Sequence, residues 1–168
     1  MSQIRNTPDE IVGDLAEVNR AQIEHRATWM GLIYDEMLQA GLDAEPMIRR
    51  AIKRCGLIHG DRIKERCGSS WDCTDFKDAF LGTERSVVAQ TFQMKNIQAD
   101  PEQVGVDFHY CPLLSAWQKL GFDDERCADL CDMAMDGDRS IAEAMGLTLE
   151  LEETLANGDA ACKLRFRR

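Results

Sequence analysis

Val104-Gly105-Val106-Asp107-Phe108-His109-Tyr110-Cys111-Pro112 alternates large apolar residues with small or polar ones and then stops at a proline. Alternation with a period of two predicts a half-buried strand. Pro112 lacks the amide donor that a ladder needs and ends it. If Val106, Phe108 and Tyr110 face one way, His109 and Cys111 face the other. Upstream, Val87, Ala89, Thr91, Gln93 and Met94 predict the partner strand, with Asp100-Pro101-Glu102 as the turn. Downstream, Leu147, Leu149 and Leu151 alternate with Thr148, Glu150 and Glu152, and Cys162, Leu164 and Phe166 alternate beyond the turn Asn157-Gly158-Asp159. Two antiparallel hairpins follow, with residues 104–111 expected in one sheet with 147–154 and 160–167.

The remaining pattern is helical. Thr7-Pro8-Asp9-Glu10 has the cap, the N1 proline and the acids of a helix start. Ile11, Leu15, Val18, Trp29, Leu32, Ile33 and Met37 recur at helical spacing as far as Gly41, predicting a helix over most of 8–40 with Gln22 and His25 on its apolar stripe. A second helix is expected over 45–66, with Met47, Ile48, Ala51, Ile52, Cys55, Ile58 and Ile63 on one face. Gly56 and Gly60 within it either admit a close neighbour or mark a break. Residues 67–73 read as loop, 74–81 as a short helix capped by Thr74, 113–120 as another stopped by Gly121, and 123–145 as a longer one closed by Gly146. The order of helices, hairpin, helices, hairpin implies an α+β fold, a small antiparallel sheet of two hairpins covered by helices with an N-terminal helical region. A single domain over 1–168 is expected, mainly helical over 1–83 and hairpin–helices–hairpin over 84–168. Trp29, Trp71 and Trp117 are expected in the core.

Composition narrows the partners. The formal net charge is −10 and the isoelectric point about 4.8, a surface that repels a phosphate backbone. Arg165, Arg167 and Arg168 form the only late basic cluster, read as a solvated chain end. No nucleic-acid partner is expected. The N-terminus lacks the apolar run of a signal peptide, and no apolar stretch reaches the roughly 20 residues of a membrane span. A cytoplasmic protein with no membrane partner is expected, a homo-oligomer being left open. The seven cysteines are odd in number and contain no C-x-x-C, against a disulfide framework and a zinc ribbon.

The C-terminal portion resembles the L-2-amino-thiazoline-4-carboxylic acid hydrolase family. The residues that carry the likeness are Cys111-Pro112-Leu113-Leu114, Cys131-Asp132 and Thr154-Leu155-Ala156-Asn157-Gly158-Asp159, with Cys162 and Phe166; Glu24-His25-Arg26-Ala27 adds to it. The resemblance implies an enzyme that opens a small cyclic amidine by hydrolysis. A weaker likeness, in the Gly158 to Cys162 spacing and the aromatic after it, is to four-vinyl-reductase-type ligand-binding domains. That likeness implies a non-catalytic small-molecule or zinc-binding module, but Thr154 stands where that pattern has a cysteine. A lyase or isomerase on the same fold is a further alternative.

Hydrolysis at an amidine carbon calls for a nucleophile, a proton shuttle and groups that hold the substrate. Cys111 is the candidate nucleophile, at a strand end, where a helix beginning just after it would lower the thiol pKa. His109 is the candidate acid or base. Cys131 and Asp132 are further catalytic candidates, the bland reading of Cys131 being a buried thiol. Asp132 and Asp136, four apart on a helix, are candidates to hold a cationic amidine; the bland reading is a solvated acidic face. Arg26 and Arg139 are candidates for a substrate carboxylate, and His25 for a site role against a hydrogen-bonded core histidine. Asp136-Gly137-Asp138 only superficially matches a calcium loop. Cys162 fits a core thiol. No cofactor is expected; zinc would require Cys111, Cys131 and Cys162 to converge.

Overall fold

The computed structural model describes residues 4, 6–8 and 13–168. Helix α1 runs Asp14–Gln39 and α2 Glu45–Cys67, followed by α3 Cys73–Phe80 and α4 Val87–Phe92. Strands β1 Met94–Ala99 and β2 Gln103–Phe108 form the first hairpin. Helices α5 Pro112–Lys119 and α6 Asp124–Met145 lead to β3 Thr148–Leu151, a 3-10 turn over Leu155–Asn157 and β4 Cys162–Arg167. The strand order is β1-β2-β4-β3 and every pairing is antiparallel. The fold is α+β, as the pattern predicts, and β2 joins the two hairpins by pairing with β4, Phe108 opposite Cys162 and Val104 opposite Phe166.

One face of the sheet is the core. Val104, Val106, Leu164 and Phe166 are buried on it, and Phe166 meets the rings of Phe76 and Phe80 edge-on. The other face is ionic: Arg165 donates to Asp107 at 2.9 Å, and Asn96, at a bulge in β1 where its φ is 53°, donates to the same carboxylate at 2.8 Å. Burial pushes the Asp107 carboxyl up, but Asn96 and Arg165 outweigh it and hold it below the usual range. Arg165, Arg167 and Arg168 are not a free solvated end: Arg165 pairs with Asp107, Arg167 with Glu150, and Arg168 lies over the Trp71 ring.

Several expectations give way here. Residues 87–92 are helical, because Ser86 caps that turn through its hydroxyl to the Ala89 amide; β1 begins only at Met94. Strand β2 ends at Phe108, so its alternation does not carry through to Cys111. Helix α3 is capped by Asp72 in a reciprocal box with Asp75, and the Thr74 hydroxyl donates to Asp72. Thr7 and Pro8 are not helical and α1 starts after Gly13; Asp9, Glu10 and Ile11 lie outside the described residues.

The face of α1 is also different from the predicted one. Ala16, Arg20, Ile23, Ala27, Gly31 and Tyr34 are buried, while Leu15, Val18, Trp29, Leu32 and Ile33 are exposed. At the contact with α5 small residues take the interior and let it approach: a Cβ on Gly31 would lie 3.1 Å from the Trp117 ring, and the Trp117 indole donates to Ala27 O at 3.0 Å. Of the tryptophans only Trp117 is fully buried; Trp71 is half-buried and Trp29 exposed.

Helices α2 and α6 pack through their smallest residues. A Cβ built on Gly56 would stand 2.4 Å from Gly137 O, so the backbones touch and the glycine marks a close approach, not a break. On α2 the buried residues are Ile48, Gly56, Gly60 and Ile63, whereas Met47, Ala51, Cys55 and Ile58 are exposed. Gly56→Val is expected to lower stability by about 3 kcal/mol or more, because the obstacle is backbone and cannot rotate away. Thermal unfolding should show a fall of roughly 5–10 °C; an unchanged transition would mean that the two helices can separate without cost.

Candidate active site

Cys111 is the N-cap of α5, and Pro112 opens the helix behind it. Its main-chain N–H donates to Asn6 Oδ1 at 2.9 Å, and Asn6 Nδ2 donates back to its carbonyl, also at 2.9 Å. The Asn6 side chain thus completes both main-chain groups of Cys111 as a neighbouring strand would. Ile4, two residues earlier, is buried in the core.

The half-buried Cys111 thiol is under the electrostatic influence of Asp138 on α6, and its own charge acts on Cys131 of α6 and Cys162 of β4. The amides of Leu114 and Leu113 favour its thiolate without closing a capping hydrogen bond. Arg26 acts in the same direction and Asp138 against it. Burial outweighs all of these, and the thiol is pushed up. The helix start has the predicted sign, but it does not make the thiolate the dominant neutral-pH form.

Cys131 and Cys162 complete the group. Burial raises Cys131 well above the ordinary thiol range, and a charge on Cys111 raises it further. Burial likewise pushes Cys162 up to about 12, Cys111 adding to it; its sulfur accepts from the Leu155 amide at 3.3 Å. Cys162 is a core thiol, as the alternation predicts. Thr154, at the place of the cysteine in the four-vinyl-reductase pattern, caps the 3-10 turn, its hydroxyl accepting from the Asn157 amide at 3.2 Å. Among the described residues, no group of three His, Cys, Asp or Glu side chains is arranged to hold a metal ion.

Asp138 is the titratable group that sequence reasoning missed. It is half-buried on α6, seven residues after Cys131 and so two turns along on the same side of the helix. Burial pushes its carboxyl up to about 6, with Arg26 and Arg139 pulling the other way. An acid with that value, beside a buried thiol, can hold or release a proton near neutral pH. Its spacing from Cys131 was the available signal, obscured by the loop-like look of Asp136-Gly137-Asp138. Asn6, 105 residues from Cys111 in the chain, left no signal at all.

The other predicted residues divide. Arg26 is exposed, makes no salt bridge among the described residues and acts on both Cys111 and Asp138. His25 is exposed, its ring edge-on to Trp29 with centroids 5.3 Å apart, not a core histidine. The His109 main-chain N–H donates to Gln93 O at 3.3 Å, and its ring Nε2 is buried without a hydrogen-bond partner among the described residues. The charges that act most on Cys111 are Asp138 and Arg26, not His109. Asp132 and Asp136 already hold guanidinium groups. Arg49 reaches Asp132 at 2.6 Å and Asp136 at 3.2 Å, and Arg139 reaches them at 2.6 and 2.7 Å. Burial pushes Asp132 up, but the two arginines outweigh it and bring it below the usual carboxylate range. This cluster ties α2 to α6.

A surface groove of about 640 Å³ lies elsewhere, between Thr74, Lys77, Thr83, Arg85 and Ile97, and none of the Cys111 group lines it.

The helices and the four-stranded antiparallel sheet define an α+β domain, with Cys111 at the start of α5 under the electrostatic influence of Asp138. The chain belongs to the L-2-amino-thiazoline-4-carboxylic acid hydrolase family, whose model matches residues 20–166. No curated protein and no solved structure matches it. No described helix is long and apolar enough to cross a membrane.

Proposed function

We propose that the protein hydrolyses a small cyclic amidine of the thiazoline type that carries a carboxylate, with Cys111 as nucleophile and Asp138 as its base. Family membership supports the reaction class. The observation that carries the residue assignment is the place of Cys111 as the N-cap of α5, with the charges of Asp138 and Arg26 acting on its thiol. Because burial keeps the thiol protonated, a nearby base must take its proton as the bond forms. Ionised Asp138 does so, and Sγ adds to the amidine carbon. The ring C–S or C–N bond then breaks as Asp138 returns the proton to the departing sulfur or nitrogen. Water, deprotonated by the same carboxylate, adds to the carbon held by Cys111; the Sγ–C bond breaks, the product leaves, and Asp138 returns that proton to the Cys111 sulfur. Arg26, at the exposed side of the group, receives the substrate carboxylate.

Incubation of the purified protein with L-2-amino-thiazoline-4-carboxylate tests the reading. Consumption of the ring is expected, a free thiol in the product marking C–S cleavage and an S-linked product marking C–N cleavage. Saturable binding of the compound without turnover would instead make the chain a binding module and end the hydrolase assignment.

A further inference from the structure

The exposed side of α1 carries a second pattern. Leu15, Val18, Gln22, His25, Trp29 and Leu32 follow one another at alternating steps of three and four residues, the 3.5-residue repeat of a helix-pairing seam. All six are exposed, Leu15 by 71%, Val18 by 60%, Trp29 by 62% and Leu32 by 45%. Scattered apolar surface residues need no explanation, but two exposed apolar pairs, Leu15/Val18 and Trp29/Leu32, held in one 3.5-residue register along a helix do.

The order of polarity along the seam says what covers it. Read from either end it runs apolar, apolar, polar, then polar, apolar, apolar. Two copies laid antiparallel therefore match layer by layer: Leu15 against Leu32, Val18 against Trp29 and Gln22 against His25, each twice about a two-fold axis. Self-complementarity of this kind is what an isologous contact requires. A parallel pairing would instead place His25 against His25 and Trp29 against Trp29. At the ends the antiparallel pairing brings Asp14 near the other copy's Asp35, whose charge Arg126 already balances at 2.5 Å. From Leu15 to Leu32 the seam is about 26 Å long at 1.5 Å per residue. A helix pair of that length buries on the order of 1,200 Å² in all, the lower bound of specific interfaces.

We propose that α1 is the two-fold contact of a homodimer in which two copies of this chain pair antiparallel along this seam. Sedimentation of the full chain should give twice 19.0 kDa at micromolar concentration. Trp29→Glu, a change at an exposed position, should leave the fold intact and weaken association at least about a hundredfold, as the loss of a central aromatic does. With Leu15→Cys and Leu32→Cys together, mild oxidation should link position 15 of one copy to 32 of the other, a link too long to form within one helix. A one-chain mass at every concentration overturns the proposal, and if footprinting finds Trp29 shielded in that species, another occupant covers the seam. A dimer that Trp29→Glu leaves intact, or links of 15 to 15, overturn it as well.

Discussion

Cys111→Ser is expected to fold normally and to lose turnover of thiazoline substrate by at least about a thousandfold. The change is nearly isosteric, and the main-chain bonds to Asn6 do not involve the sulfur. A hydroxyl at this place holds its proton much more tightly than a thiol, and Asp138, at about 6, cannot remove it. Cys162→Ser should act differently, lowering stability because it places a more polar group in the core. Circular dichroism and turnover on the same preparations separate the two effects. Wild-type rates for Cys111→Ser would sink the nucleophile assignment; if Cys131→Ser were then inactive, the role would pass to Cys131.

Asp138→Asn should give two opposite signs. Turnover should fall by at least about a hundredfold, since the base is gone, and the acid limb of the pH profile, centred near 6 in the wild type, should vanish. Meanwhile Cys111 should alkylate faster at a given pH, because the Asp138 charge is one of the groups that raise its thiol. Stability should rise. The Asp138 carboxyl ionises near 3.8 when unfolded and at about 6 when folded. Between those values the folded state holds the extra proton, so stability declines as pH rises from about 4 to about 6 and then levels off. Asparagine removes that loss, making the variant more stable at pH 7 by about 1–3 kcal/mol, an advantage that fades below pH 4. Unchanged turnover would take Asp138 out of the mechanism.

The sheet was legible because Val104 and Val106, and Cys162, Leu164 and Phe166, recur with a period of two on a buried face. Residues 87–92 were not, since a six-residue segment turns too little for the helical and extended periods to differ, and the Ser86 cap decided it. The lining of α1 was illegible for a physical reason. Where α1 meets Trp117 the buried positions are Ala27 and Gly31, and Leu15, Val18, Trp29, Leu32 and Ile33 lie on the exposed side. At the candidate site, Cys111, Cys131 and Arg26 are proposed from residue type and likeness. Asp138 needed the helical phase to be followed for two full turns, and Asn6 needed the tertiary fold itself.

The contact between Gly56 and the Gly137 carbonyl sits one residue from Asp138. The flank of the candidate site built by α6 therefore rests on an abutment of main chain and the Ser140 Cβ, with almost nothing there to trim and no slack to let out. The opposite flank, with Arg26 on α1 and Asn6 ahead of it, is made of side chains. An effort to re-tailor the protein for bulkier rings should widen that flank and leave the abutment alone.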